Sequence, residues 1–161
     1  MYEEAVAVPF LMAGPGIKSS IDNSHLVSGL DILPTLLDYA GIAIPPSLAG
    51  RSLPQIVDGD NPAWREYVVA EYGQNADLRM VRTLQYKYVV YAKGANPEQF
   101  FDCDADPGET NNFITEISMK AQIDSHRNML REFVQTTQDN FKMPQTTVNA
   151  QPAQSEERGR R

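Results

Sequence analysis

Apolar and polar positions along the chain follow one regime before residue 59 and another after it. Ala5-Val6-Ala7-Val8-Pro9-Phe10-Leu11-Met12 is a nearly continuous apolar run, which predicts a strand covered on both faces, with Pro9 marking an edge or a bulge. Gly14-Pro15-Gly16 ends it, and Ser19 to Ser24 is polar enough for a loop. Asp31 is placed to cap a helix whose first turn holds Pro34. That helix is expected to run through Thr35-Leu36-Leu37-Asp38-Tyr39-Ala40 and to stop at Gly41. Ile42 to Pro46 cannot continue it, and a further helical turn is predicted over Leu53 to Val57.

Gly59-Asp60-Asn61-Pro62 is a run of turn residues, and the pattern after it changes to short strands. Tyr67–Tyr72, Arg79–Thr83 and Tyr86–Tyr91 are rich in β-branched and aromatic residues, with Leu84-Gln85 a tight link, and they predict an antiparallel meander. Gln99-Phe100-Phe101-Asp102 adds a short strand. From Ile114 to Gln135, Met119, Ile123, Leu130 and Phe133 recur at helical spacing, so an amphipathic helix is expected to cover one face of the meander. Gln138 to Arg161 has few apolar side chains and is expected to be a disordered tail, with Arg158, Arg160 and Arg161 solvated. The predicted fold is therefore an α/β remnant over residues 1–58, a strand plus a helix from the edge of a larger sheet. A small α+β subdomain of antiparallel strands packed on a C-terminal helix comes next over 59–137, then the tail over 138–161.

Composition narrows the function classes. With 42% hydrophobic and 22% charged residues in 161, this is an ordinary globular composition. The formal net charge of -7 argues against general binding to nucleic acid or to an anionic membrane surface. No apolar run approaches the roughly 20 residues that cross a bilayer, and the first residues lack the basic start and long apolar region of a signal peptide. As written, the chain is expected to stay in the cytoplasm. Cys103 is the lone cysteine, flanked by Asp102 and Asp104, so neither a disulfide framework nor a reactive thiolate is expected.

Candidate chemistry is sparse. Asp102-Cys103-Asp104-Ala105-Asp106 carries the alternating carboxylates that open a calcium loop, but Pro107 stands at its turn glycine and Phe113 at its bidentate glutamate. A turn between strand and helix is the better reading. Gly50-Arg51-Ser52 lacks the second glycine of a nucleophile elbow, because Pro54 occupies that position. His25 and His126, the only histidines, lie in separate elements and read as surface residues.

The order of short motifs is more informative than any one of them. Tyr2-Glu3-Glu4-Ala5 with Val8-Pro9, Gly14-Pro15-Gly16-Ile17, Asp31-Ile32-Leu33-Pro34-Thr35-Leu36-Leu37 with Ala40-Gly41, and Gly50-Arg51-Ser52-Leu53 succeed one another. Arg79 to Thr83 with Tyr86-Lys87-Tyr88, then Phe101-Asp102 with Asp106-Pro107-Gly108-Glu109-Thr110-Asn111-Asn112, complete the series. Together they resemble the C-terminal portion of the sulfatase family, in the wider alkaline-phosphatase-like superfamily. The resemblance implies a sulfuric ester hydrolase whose formylglycine, made from a Cys/Ser-x-Pro/Ala-x-Arg motif, works beside calcium or a similar divalent ion.

At Cys103, the lone cysteine, that motif is not completed, because Pro107 stands where it needs its arginine. The family's last metal ligands normally come shortly before the Tyr-Glu-Glu segment, which here begins at residue 2. The chain is thus expected to hold no catalytic residue, metal ligand or cofactor of its own. Its expected roles are to complete a sulfatase fold beside an N-terminal sulfatase domain and to wall a sulfate ester pocket, with no turnover alone. Arg82 is the candidate pocket-wall residue, although an acidic neighbour could instead pair with it. A stand-alone binding or assembly module is the alternative, and a strand edge around Val6 to Leu11 would offer a self-association site.

Overall fold

The computed structural model describes residues 2–73 and 77–144. Four strands, β1 (Val68–Tyr72), β2 (Leu78–Arg82), β3 (Tyr86–Tyr91) and β4 (Glu98–Asp102), form one antiparallel sheet in the order β1-β2-β3-β4. Four helical segments accompany it, α1 (Glu3–Val6), α2 (Ile32–Tyr39), α3 (Pro54–Val57) and α4 (Lys120–Thr136). The meander and the long helix stand where the β-branched runs and the helical spacing predict them. A 3-10 turn over Ile117–Met119 leads into α4 and shifts its start later than the pattern suggested.

Both faces of the sheet are covered, which is why the strands read as nearly continuous apolar runs. On one face Val81, Tyr88, Val90 and Phe100 pack against Ile123 and Leu130 of α4 and against Phe141. Tyr86 stacks on Phe100 at 5.4 Å between ring centroids, and the His126 ring meets Phe100 edge-on at 5.2 Å. Leu78, Met80, Val89 and Phe101 face the other way, with Val6 of α1 and Cys103 packed on them. The outer edge of β4 is capped at Phe100, whose N–H donates to Asn112 Oδ1 and whose carbonyl accepts from Phe113 N–H.

The packed chain extends past residue 137. Arg79 is buried and grips the Asp139 carboxylate with Nε and Nη2, each at 2.7 Å, while its guanidinium lies 4.7 Å over the Phe141 ring. A bidentate pair of this kind is charge-assisted and fixes geometry. The part of the expected tail from 145 onward, including Arg158, Arg160 and Arg161, lies outside the described residues.

Two expectations for the first segment need correction. Ala5 to Met12 is not a strand: α1 turns over Glu3–Val6, and no strand among the described residues pairs with Ala7 to Met12. A strand exists only through a partner's backbone hydrogen bonds, so the sheet edge expected around Val6 to Leu11 is absent as well. Val8 and Leu11 are left exposed, Leu11 at 93%. Asp31, for its part, does not cap α2 with its side chain. Ser28 and Asp31 instead form a reciprocal capping box around a 3-10 turn over Gly29–Asp31.

The Asp31 carboxylate is fully buried and holds the first segment to the residues before β1. It accepts from Ser28 N–H at 2.8 Å, Arg51 N–H at 2.7 Å and the Arg65 guanidinium at 2.5 and 2.6 Å. Burial pushes this carboxyl up, but the Arg65 and backbone hydrogen bonds outweigh it and hold it below the ordinary carboxylate value. Gly50 makes the approach possible: a Cβ there would stand 1.9 Å from the Leu30 carbonyl oxygen. The Trp64 indole closes the cluster, donating to Leu26 O at 2.8 Å with the Arg65 guanidinium 5.1 Å over its ring.

Helix α2 ends as expected. Gly41 takes φ 67°, Gly41 N–H donates to Asp38 O, and Ile42 N–H donates to Leu37 O, which is a Schellman closure. Its faces are unusual for an isolated helix. Pro34 and Thr35 are buried, with Thr35 Oγ1 donating to Asp31 O and accepting from Leu53 N–H. Ile32, Leu33, Leu36 and Tyr39 are exposed, and at 100° per residue they share one side of the helix. Ile42 and Ile44, just past its end, are exposed as well.

Candidate functional site

The densest chemistry lies on the sheet face that carries α1. Alternation along β2, β3 and β4 places Arg82, Lys87 and Cys103 on that face together with Met80, Val89 and Phe101. Lys87 is fully buried, and its ammonium sits 2.5 Å from Glu3 Oε2 and 2.5 Å from Glu109 Oε1. Glu109 also accepts from Glu3 N–H at 2.8 Å through its other oxygen. It holds this position in left-handed backbone, φ 51°, in the turn after β4. Three separate parts of the chain are thereby clamped around one cation.

Arg82, the candidate pocket-wall residue, belongs to the rim of this clamp. Its Nε lies 3.7 Å from Glu3 Oε2, and its Nη1 donates to the carbonyls of Thr83 and Leu84 in the β2–β3 turn. The Cys103 Sγ lies 3.8 Å from Glu109 Oε1. Burial pushes the Cys103 thiol up to about 11, against the opposing effect of Arg82 and Lys87, so it stays protonated near neutral pH.

Glu3, Cys103 and Glu109 bring one ligand atom each within 4.8 Å of one another, which is metal-site spacing. The donor set does not fit a divalent ion, because the Lys87 ammonium already occupies the position between the two carboxylates. Cys103 likewise does not fit as a formylglycine precursor, because Pro107 stands where the motif needs its arginine; Ser47-Leu48-Ala49-Gly50-Arg51 matches the serine form in sequence, but Ser47 is exposed in a loop and is not part of the Glu3, Cys103 and Glu109 group.

The acidic loop is a turn. Asp102 Oδ1 accepts from the N–H groups of Asp104 and Ala105, and Asp106 accepts from Thr110 Oγ1 and from Asn111. These lone pairs are spent on the backbone and side chains of the turn itself, so the loop does not offer a calcium cage.

The histidines stand apart. His25 Nδ1 lies 2.6 Å from Asp22 Oδ2 and 3.2 Å from Ser24 Oγ. A hydrolytic triad needs the acid on one ring nitrogen and the nucleophile on the other. Here both partners share one nitrogen, which is turn geometry. His126, expected on the surface, is buried: its Nδ1 meets Gln122 O at 2.7 Å and its Nε2 meets Thr83 Oγ1 at 3.1 Å. Burial holds its pKa below the ordinary 6.5, outweighing the Gln122 contact.

A second feature of the α1 face is a groove of about 550 Å³ lined by Tyr2, Glu4, Ala5, Tyr72, Leu78 and Tyr91. Tyr72, Leu78 and Tyr91 are direct cross-strand neighbours and form the last row of the sheet. Tyr2 leans on Phe101 from α1's side, with ring centroids 6.3 Å apart.

Comparison with known proteins decides the family. The family described as N-sulphoglucosamine sulphohydrolase, C-terminal, matches residues 1–138. The chain belongs to this sulfatase family. Mouse arylsulfatase K is 42% identical over 72% of the chain, which covers 23% of that protein. The Bacteroides thetaiotaomicron Delta 4,5-hexuronate-2-O-sulfatase is 36% identical over 88% of the chain, which covers 31% of that protein. A crystal structure from the same organism, described as a sulfatase, superposes with a TM-score of 0.80 at 35% identity, over 91% of this chain and 34% of the other. This sulfatase sequence therefore spans about a quarter to a third of the length of the curated relatives it matches, and it corresponds to their C-terminal part. Among the described residues, no helix is long and apolar enough to cross a membrane.

Proposed function

We propose that this chain completes the fold of a sulfatase acting on sulfate esters of saccharides, docking onto a catalytic α/β portion and walling its substrate pocket. The observation that carries the reading is the outward apolar side of α2. A helix that turns Thr35 inward and Ile32, Leu33, Leu36 and Tyr39 outward has its larger apolar surface still to bury, and patches of this kind mark interaction sites. The match to the C-terminal family and the short span relative to the curated relatives support the remaining portion of a sulfatase as the partner. The saccharide class comes from the Bacteroides relative, which is named for a sulfated hexuronate. Catalytic chemistry is assigned to that partner portion, and Arg82 stays a candidate for the pocket wall through the clamp it shares with Glu3.

The test is association. The 161-residue chain is expected to bind the catalytic portion of the Bacteroides relative, truncated of its aligned C-terminal residues, in isothermal titration calorimetry. Leu36→Asp is expected to weaken that binding at least tenfold. Equal binding by Leu36→Asp would remove α2 from the interface, and no binding by the unmodified chain would contradict the reading.

A further inference from the structure

We infer that the groove between α1 and the last row of the sheet is a carbohydrate-binding subsite that takes the uncharged face of a saccharide. Tyr72 and Tyr91 stand in register on either side of Leu78, two strand spacings or about 10 Å apart. Their side chains share one face of the sheet, with the buried Leu78 as the floor between them, and make a two-ring platform. The first and third pyranose rings of a β-1,4-linked chain match the spacing of such a pair, and each presents the carbon-bound hydrogens of one ring face.

Tyrosine combines an apolar ring with a polar tip, and three of them line this groove. Glu4 adds a carboxylate that can accept from sugar hydroxyls. No Lys or Arg among the described residues lines the groove, so the site is built for hydroxyl-bearing rings and not for sulfate or carboxylate groups. Its volume of about 550 Å³ falls in the range of small-ligand pockets, roughly 300–1,000 Å³.

The clamp explains why this wall is fixed. With Glu3 drawn inward to Lys87 and its N–H held by Glu109, the flanking Tyr2 and Glu4 are exposed beside the platform. Tyr72 is 71% exposed at a strand end, so its ring is open to a ligand. The saccharide class rests on the proposed function, but the binding is a property of this chain and is measured without any turnover.

Chitotriose is the probe, titrated into the 161-residue chain and followed by amide chemical shifts. The expected result is saturable binding with a Kd on the order of 1 mM, with shifts concentrated at Tyr2 to Ala5, Tyr72, Leu78 and Tyr91. Tyr72→Ala is expected to weaken it about tenfold and Glu4→Gln about threefold, whereas Ile117→Ala, at an exposed position of the turn before α4, leaves it unchanged. Both groove positions are exposed, so the variants are expected to keep the dispersed spectrum of the parent. No saturable binding, or binding equally strong in Tyr72→Ala and Glu4→Gln, would overturn the subsite. The proposed function would fail separately, through loss of association with the catalytic portion while chitotriose still binds.

Discussion

Lys87 is the residue on which the α1 face depends. Its ammonium pairs with both Glu3 and Glu109 at 2.5 Å each, with the Glu109 side chain 2% exposed. Removing one partner of a buried ion pair is far more damaging than the pair's net worth, because the remaining charge is left without compensation. Lys87→Met is therefore expected to lower the unfolding free energy by about 3–5 kcal/mol, read from urea denaturation. Lys87→Met combined with Glu109→Gln should recover part of that loss. Nothing in Tyr86-Lys87-Tyr88-Val89-Val90-Tyr91 marks this lysine as buried; strand alternation places it on a face, but only Glu3 and Glu109, 84 residues before and 22 after it, supply its partners.

His126 sets a pH dependence. Burial lowers its pKa in the folded chain below the ordinary 6.5, so on acidification the unfolded chain takes up a proton first. The stability owed to the neutral imidazole is complete above about pH 6.5 and declines as the pH falls from there toward the lower folded value. A urea midpoint that falls between pH 7 and pH 5, with a smaller fall in His126→Gln, is the expected outcome. Equal slopes in the two proteins would show that other groups carry the dependence.

At the scale of elements, the sheet and α4 were legible because their signals are local. β-branched and aromatic runs specify strands, and Ile123 and Leu130 recur at helical spacing and are buried where that spacing puts them. The failure at Ala5 to Met12 has a physical reason: apolar content alone suits any covered segment, while a strand also needs a neighbour to hydrogen-bond. Helix α2 was legible in its limits, through Pro34 and Gly41, but its orientation was not. Thr35 turns inward because Asp31 O and Leu53 N–H meet its hydroxyl there, leaving Leu33 and Leu36 outside. The same inversion means that Leu36→Asp, expected to weaken the proposed docking, should leave the chain's own unfolding midpoint nearly unchanged, since exposed substitutions shift stability by roughly 0.5 kcal/mol or less. An equally large loss of stability would place Leu36 in the chain's own core.

In the molecule as a whole, three ion-pair clusters among the described residues bind loop and helical segments to the rest, beside the Arg127–Glu98 pair that ties α4 to β4. The Asp31 cluster ties the first segment to the residues before β1, the Lys87 clamp ties α1 to the sheet, and Arg79 with Asp139 ties the chain after α4 back to β2. Each holds distant parts of the chain in fixed relation, which suits the proposed role of presenting an apolar side to a partner. The resemblance visible in the motif order reached the family; the three clusters were invisible to it because each is assembled from residues distant in sequence. The most direct measurement of the central claim is sulfate release by a chimera. In it, this chain replaces the aligned C-terminal residues of the Bacteroides thetaiotaomicron 2-O-sulfatase. Sulfate release from the relative's own substrate is expected from the chimera, and none from the 161-residue chain alone. A folded but inactive chimera, or turnover by the isolated chain, would contradict the claim.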